Sequence, residues 1–259
     1  MNILTNNYLD TYKKMLSVDI PSAIKETDEI EMTPHAFTFY TSVAVISSSK
    51  IEGEQMEIDS YVKHKMQNIE YLPELVQKPN DLYRAYLFAK QNKLNADNFL
   101  KSHAILSEHL LPEKWRGTYR KSEMVVLEHE TGRIQFEAAP ASVVEAEMKK
   151  LWEDIFELLK KKLSMEEVFY YASFIHAAFV TIHPFNDGNG RVARLLEKWF
   201  LAERLEEKAW YIKSEKYYYS HVNDYYRNLN RMGIFYEKVD YSRADFFMQM
   251  LPKAIAYKE

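Results

Sequence analysis

Apolar residues recur every three or four positions along most of the chain, which is the spacing of helices that bury one face. In the first third of the sequence this pattern predicts helices at 35–51, 57–72 and 80–93, with a loop from Pro73 to Pro79 between the last two. Gly53 follows the first of these helices and is placed to end it in a left-handed conformation.

Further along the chain, the same spacing predicts helices at 97–111, 165–182 and 191–205, another after Pro140, and two or three beyond residue 214. Only 6 glycines and 8 prolines interrupt the 259 residues. Since Leu, Lys, Glu and Met are frequent and are good helix formers, the sequence predicts an all-α fold.

One segment, 117–138, departs from the helical pattern. Met124–Leu127 and Ile134–Phe136 are β-prone runs, and Glu130-Thr131-Gly132 between them reads as a short turn. We therefore expect a single β-hairpin in this segment, the one clear β element of the chain.

Composition narrows the classes of function. The net charge of −4 argues against a large basic surface, so we expect no nucleic-acid partner. The absence of cysteine excludes disulfides, cysteine-bound zinc and thiol catalysis. The N-terminus lacks the features of a signal peptide, and the longest apolar run, about 174–182, is too short to span a membrane. We expect a soluble, cytoplasmic protein with no membrane partner.

The stretch 181–194, TIHPFNDGNGRVAR, concentrates residues suited to a polyphosphate. Gly188 and Gly190 let consecutive backbone N–H groups turn toward one point, and a helix beginning there adds its own unpaired N–H groups and positive dipole end. Arg191 and Arg194 lie on one face of that helix and add two positive charges. The site is not a Walker loop, because GxxxxGK[ST] does not occur.

Two further side chains in this stretch suit catalysis. Asp187 is a carboxylate beside the predicted phosphate site, where one or two carboxylates commonly hold Mg²⁺ together with phosphate oxygens and water. His183 has a near-neutral pKa in its ordinary state, which suits proton removal from a hydroxyl. A structural histidine and an ordinary Asp-Gly-Asn-Gly turn remain open at this point.

The run HPFNDGNGRVAR resembles the Fic motif, HPFx(D/E)GNGRxxR, at every fixed position. The resemblance implies an all-helical Fic fold with a hairpin flap, ATP as substrate and Mg²⁺ as cofactor. It implies a protein adenylyltransferase, in which a Ser, Thr or Tyr hydroxyl of a target protein attacks the α-phosphate of ATP. The implied roles are general base for His183, Mg²⁺ ligand for Asp187, a phosphate cradle from the backbone of Gly188, Asn189 and Gly190, and outer-phosphate contacts for Arg191 and Arg194.

The predicted hairpin is similar to the flap that lies upstream of the motif in Fic proteins and holds the target segment by strand addition. Gly117-Thr118-Tyr119-Arg120 leads into it, and Ala139-Pro140 stands where the family often has two prolines. The resemblance implies a target protein docked on the flap and self-modification, and it allows a homodimer.

The segment 48–53, SSKIEG, fits the pattern [S/T]xxxE[G/N] and resembles the inhibitory motif of Fic proteins that carry it N-terminal to the core. Glu52 falls at a predicted helix C-terminus, where the helix dipole disfavours a carboxylate by ~0.3–1 kcal/mol. Ser48, Glu52 and Gly53 are the positions that match this motif. The resemblance implies that Glu52 pairs with Arg194 and so removes the arginine that receives the γ-phosphate.

Tyr225 and Tyr226, in the run YYRNL, resemble the Tyr-Tyr-x-x-Leu helix near the nucleotide base and imply stacking on adenine. With 19 tyrosines in the chain, core packing is the competing interpretation.

The sequence predicts three regions: an N-terminal helical region at 1–80 carrying the inhibitory helix (about 35–53), a catalytic core at 81–212 with the flap at 117–138, and C-terminal helices at 213–259. The resemblance covers roughly 35–230, and the prediction for 1–34 and for the tail beyond 235 follows from the helical pattern alone. Three other activities remain open. These are removal of AMP with Glu52 orienting the attacking water, transfer of phosphate or phosphocholine, and non-catalytic nucleotide binding, which would not require His183.

Overall fold

The computed structural model describes residues 1–26, 31–127, 132 and 134–257. Helices dominate it, which confirms the all-α prediction. The helices are α1 Leu9–Met15, α2 Ile20–Glu26, α3 Pro34–Ile51, α4 Ile58–Gln67, α5 Pro73–Gln91, α6 Ala96–Leu106, α7 Val144–Lys160, α8 Met165–Ile182, α9 Asn189–Leu205, α10 Ser214–Ser220, α11 Val222–Asn230, α12 Asp245–Met248 and α13 Met250–Ile255. In the part of the chain that the structure describes, none of these helices has both the length and the apolar character needed to cross a bilayer.

The centre of the fold is the pair α8 and α9. Residues 168–179 of α8 and 191–201 of α9 are buried without interruption, as expected for helices surrounded by other helices. The predicted bounds of α8 are confirmed, because Ser164 and Glu167 form a reciprocal capping box at its start. At its end, His183 takes a left-handed conformation with φ 53°.

The predicted loop from Pro73 to Pro79 is wrong, because α5 runs through it. Pro73 opens the helix at its first position, where a missing N–H costs nothing. Pro79 lies inside the helix at a cost of about 3 kcal/mol. Buried α5 side chains such as Leu82 and Tyr86 each contribute about 1.5–3 kcal/mol, so burial along the helix outweighs one proline.

Several predicted ends shift. The predicted helix 57–72 ends at Gln67, because Asn68 is left-handed (φ 55°), and the helix predicted to 111 ends at Leu106. Within the described part of the tail, four α-helices follow residue 213 where two or three helices were predicted. Gly53 has φ 89°, which confirms its predicted left-handed conformation.

The predicted hairpin is present, with β1 Val125–Leu127 antiparallel to β2 Ile134–Glu137. Its predicted turn includes Glu130 and Thr131, which lie outside the described residues. On the far side of β2, the Glu137 N–H donates to the carbonyl of Ile234 (2.7 Å), so the segment after α11 covers that edge of the hairpin.

Helix α3 brings the N-terminal region to the centre, because it packs against α5, α9 and α10. Its last turn therefore lies beside the first turn of α9. The boundaries of the three predicted regions stay a prediction.

Candidate functional site

The loop between α8 and α9 is fixed by its own side chains. Asn189 Oδ1 accepts from the Phe185 N–H (2.9 Å), and Asn189 Nδ2 donates to the Phe185 carbonyl (2.8 Å). Gly188 has φ 80° and caps α9, a conformation that favours glycine. Because the Asn189 side chain is used within the loop, only backbone is left at 188–190 to meet a ligand.

His103 supports this loop from α6, and the sequence-based reasoning missed it. Its ring stacks on Phe185 with centroids 3.6 Å apart, and Nε2 lies 3.0 Å from the Asp187 carbonyl. Nδ1 accepts from the Gly117 N–H (3.0 Å), so Nε2 carries the proton. Burial lowers the pKa of His103 to about 4, which keeps the ring neutral. No local sequence signal marks this residue, because its partner lies 84 positions away.

His183 has the geometry of a base. Its Nδ1 lies 3.3 Å from the Val180 carbonyl, to which it donates, so Nε2 keeps a free lone pair. Burial is the main reason that the pKa of His183 falls to about 4, with the positive charge of Arg120 acting in the same direction. The ring is therefore neutral at physiological pH.

A cleft of about 740 Å³, open to solvent, brings half of the predicted residues together. Helix termini, the flap and α11 each contribute to its wall. Among the lining residues are Glu52, His183, Gly190, Arg194, Val126, Gln135, Phe136, Tyr225, Tyr226, Leu229 and Asn230. A ligand in this cleft would touch the base candidate, one arginine and the inner face of the hairpin.

Arg194 is buried and engaged along its whole guanidinium. Nη2 donates to Glu52 Oε1 (2.7 Å) and to the Ser48 carbonyl (3.0 Å), Nε to Ser48 Oγ (2.8 Å), and Nη1 to the Tyr225 hydroxyl (3.4 Å). The structure thus brings Glu52 and Arg194 together as the resemblance implied, and it adds Ser48 to the pair.

Both partners of this pair stay charged. Burial acts to raise the pKa of Glu52, but Arg194 and then Arg191 outweigh it, and the pKa lies below its usual value. Burial acts to lower the pKa of Arg194, and Glu52 reverses that effect and raises it. The cleft therefore already holds an ionised carboxylate against its arginine.

The Glu52 carboxylate lies over the first turn of α9. A Cβ at Gly190 would collide with Glu52 Oε1, so the glycine leaves the space that the carboxylate fills. Glu52 faces the negative end of α3, but it also faces the positive end of α9, which stabilises a carboxylate. The unfavourable position seen in the sequence is thus offset by a second helix.

Arg191 is held by a second carboxylate that sequence reasoning also missed. Its Nη2 lies 3.2 Å from Glu54 Oε1, which also accepts from Lys78 Nζ (3.0 Å). Arg191 Nε is buried with no hydrogen-bond partner among the described residues. Both arginines of the motif therefore face carboxylates from one short segment, 52–54. No local sequence signal marks Glu54 as the partner of Arg191, because the two residues lie 137 positions apart.

Asp187 is exposed at the rim of the loop, and its Oδ1 accepts from the Gly188 N–H (2.6 Å). Within the described residues the other oxygen makes no hydrogen bond, and no group of three or more His, Asp or Glu side chains could hold a metal ion. One exposed carboxylate fits a Mg²⁺ ion that arrives with nucleotide phosphates and completes its shell with phosphate oxygens and water.

The two tyrosines of α11 occupy different places. Tyr225 is buried, and its hydroxyl lies between Arg194 and His176 Nε2 (2.9 Å), within a cluster that includes the buried Glu197. Tyr226 is half-buried and donates to the Ile51 carbonyl (3.3 Å) at the end of α3. Both line the cleft, so stacking on a base stays a prediction for either ring.

Residues 93–201 match the family model described as the Fic/DOC family. Among solved structures, the chain is similar to a Fic family protein from Desulfovibrio desulfuricans G20 (20% identity, 98% of this chain and 75% of that one, TM-score 0.75). It is also similar to a Fic domain-containing signaling protein from Bacteroides thetaiotaomicron VPI-5482 (18% identity, 95% of both chains, TM-score 0.67). A third similar structure is Fic-1 from C. elegans (17% identity, 95% of this chain and 70% of that one, TM-score 0.66). The comparison with curated proteins found no match. At these identities, the structural likeness concerns the fold.

Proposed function

Through its domain at residues 93–201 this chain belongs to the Fic/DOC family, and on that premise we propose that it is a protein adenylyltransferase that moves AMP from ATP to a Ser, Thr or Tyr hydroxyl. The single observation that carries the proposal is the free Nε2 of a neutral His183 in one cleft with Gly190, Arg194 and the flap. A base, an anion site and a peptide-binding edge are the three parts that such a transfer needs.

In the proposed reaction, the target hydroxyl oxygen bonds to the α-phosphorus while the bond to the bridging oxygen breaks and pyrophosphate leaves. His183 Nε2 takes the hydroxyl proton. Charge that develops on the phosphates would meet the backbone N–H groups at the start of α9, and the two arginines once Glu52 and Glu54 release them.

Asp187 would hold Mg²⁺ through its free carboxylate oxygen. When bound, the ion supplies charge neutralisation at the phosphates. This chain's own part is to present one exposed carboxylate at the entry to the phosphate site and to keep its backbone fixed by the bond from His103 to the Asp187 carbonyl.

The 52–54 segment supports a proposal of autoinhibition. Glu52 holds Arg194 and Glu54 holds Arg191, so a triphosphate must displace two carboxylates before both arginines reach its outer phosphates. Like-charge repulsion between Glu52 and a phosphate over the α9 N-terminus favours an unproductive pose for ATP.

The target would dock on the flap by strand addition. The outer edge of β2 already pairs with Ile234 at Glu137, which leaves the edge of β1 for the incoming segment. Val126 on β1 lines the cleft, so a segment on that edge would lie near the reacting phosphate.

The proposal is tested by self-labelling with ATP carrying label at either the α- or the γ-phosphate. We expect Glu52→Gly to take label from α-labelled ATP only and His183→Ala in the same background to take none. Label from γ-labelled ATP would mean phosphate transfer and would overturn the proposal. Equal labelling of wild type and Glu52→Gly would overturn the autoinhibition.

Removal of AMP is the second candidate, and it is favoured by one observation. An ionised Glu52 lines the same cleft as His183, where it could orient a water toward a modified side chain. Incubating AMP-labelled Glu52→Gly protein with unlabelled wild type tests this. Release of AMP that requires the wild-type carboxylate supports it, and stable label excludes it.

A further inference from the structure

Arg120 lies just before the flap, is 2% exposed, and donates only to carbonyl oxygens. Nε donates to His183 O (2.8 Å), Nη1 to Ser122 O (2.8 Å), and Nη2 to Ile182 O (3.3 Å) and to Ala139 O. Within the described residues it has no salt bridge. A buried guanidinium without a hydrogen-bonded carboxylate is costly. These carbonyls compensate the cost, and the nearby Glu123 carboxylate adds an electrostatic attraction.

The carbonyls belong to the end of α8 and to the two ends of the flap, whose relative position must be fixed for the reaction. Ile182 and His183 end α8, where helix carbonyls lack intrahelical partners. Ser122 and Ala139 stand where the chain enters and leaves the flap. The Arg120 backbone adds a bond of its own, from its N–H to Pro184 O (2.8 Å).

We propose, on the basis of the proposed AMP transfer, that Arg120 is a positioning residue that fixes the flap relative to His183, so that a hydroxyl on a flap-bound segment arrives at Nε2. It acts through the flap and the His183 backbone. It touches neither the 188–190 backbone nor Arg194, so it serves the target hydroxyl rather than ATP binding.

Its charge has a second effect on the same site. The charged groups that face His183 are Arg120 before the flap, Glu52 at the end of α3 and Arg194 in α9. Burial is the main cause of the lowered pKa of His183, and Arg120 lowers it further while Glu52 raises it. A lysine at position 120 would keep this charge but could not reach both sets of carbonyls, whereas methionine would lose both.

Hydrogen–deuterium exchange of the full chain tests the positioning without any activity. We expect Arg120→Lys to speed exchange at least about tenfold at the amides of Glu137, Ala138 and Phe185, because one set of carbonyls loses its donor and each hydrogen bond to a charged group is worth about that factor. The matched control is Arg116→Gln, whose guanidinium donates to Leu111 O and touches neither the flap nor His183. Unchanged flap exchange in Arg120→Lys, or an equal rise in α8, α9 and the flap, would overturn the proposal.

A kinetic experiment in the Glu52→Gly background then measures the consequence. We expect Arg120→Lys to slow self-labelling about tenfold, by the same factor per lost bond, while the dissociation constant for α,β-methylene-ATP with Mg²⁺ stays unchanged. We expect Arg120→Met to show, in addition, an acid limb of the rate profile at higher pH than Arg120→Lys. Weaker binding of the analogue in Arg120→Lys, or coincident acid limbs in the two variants, would contradict the assignment.

The two experiments separate the positioning from the proposed chemistry. If exchange changes locally but Glu52→Gly takes no AMP, the adenylyltransferase proposal fails and the structural coupling stands. If Glu52→Gly takes AMP but neither amide exchange nor the rate of self-labelling changes in the Arg120 variants, the coupling fails and the proposed function stands.

Discussion

Removing Glu54 should strengthen nucleotide binding once Glu52 is gone. Glu54 and Arg191 are 14% and 5% exposed and lie 3.2 Å apart, so the pair is nearly desolvated. A hydrogen bond between charged groups contributes about 1.5–3 kcal/mol, and we take about 1–2 here because Glu54 Oε1 is shared with Lys78. Since ATP must break this pair to reach Arg191, its removal should tighten binding about 5–30-fold.

The comparison is between Glu52→Gly and Glu52→Gly/Glu54→Gln, titrated calorimetrically with α,β-methylene-ATP and Mg²⁺. The control is Glu52→Gly/Glu57→Gln, because Glu57 is 75% exposed and pairs with Lys50 rather than with either arginine. Equal or weaker binding by the Glu54→Gln double variant would refute the reasoning, since it would mean that Glu54 orients Arg191 for ATP instead of withholding it.

Three further results are expected. In the Glu52→Gly background, kcat/KM should stay level as the pH falls to about 4, because burial depresses the pKa of His183 and the variant lacks the Glu52 charge that raises this pKa. An acid limb of the kcat/KM profile near pH 6.5 would contradict a buried base. Asn189→Ala should lower the free energy of unfolding by about 2–4 kcal/mol in urea titrations, because the buried Phe185 N–H and carbonyl both lose their partner. A loss no larger than that of Asn186→Ala would contradict the role of Asn189 in fixing the loop. Glu54→Gln alone should leave self-labelling at the wild-type level, because Glu52 still holds Arg194. Labelling equal to that of Glu52→Gly would mean that Glu54 is the inhibitory residue.

How far the sequence predicted the fold depended on whether the determining contacts were local. The bounds of α8 could be predicted from its apolar run, which ends at Ile182, and the structure adds a local capping box at Ser164 and Glu167. The course of α5 did not, because its continuation through Pro79 depends on burial against other helices, which a local rule about proline ignores.

The candidate site divides in the same way. The loop from His183 to Arg194 is contiguous, so the break after α8 and the start of α9 could be predicted from one stretch of sequence, and its chemistry stays a prediction. The Glu52–Arg194 pair, 142 positions apart, was predicted only through a family resemblance. Neither the local sequence nor the family resemblance indicated the Glu54–Arg191 pair or the support from His103, since each depends on how distant helices pack.

The central claim is that a neutral His183 and an arginine withheld by Glu52 make this cleft an AMP-transfer site under restraint. Intact-mass spectrometry after incubation with ATP and Mg²⁺ tests it most directly, on wild type, Glu52→Gly and Glu52→Gly/His183→Ala side by side. The account predicts a gain of one or more AMP units in Glu52→Gly alone. Unmodified Glu52→Gly protein, or an equal gain with and without His183, would contradict it.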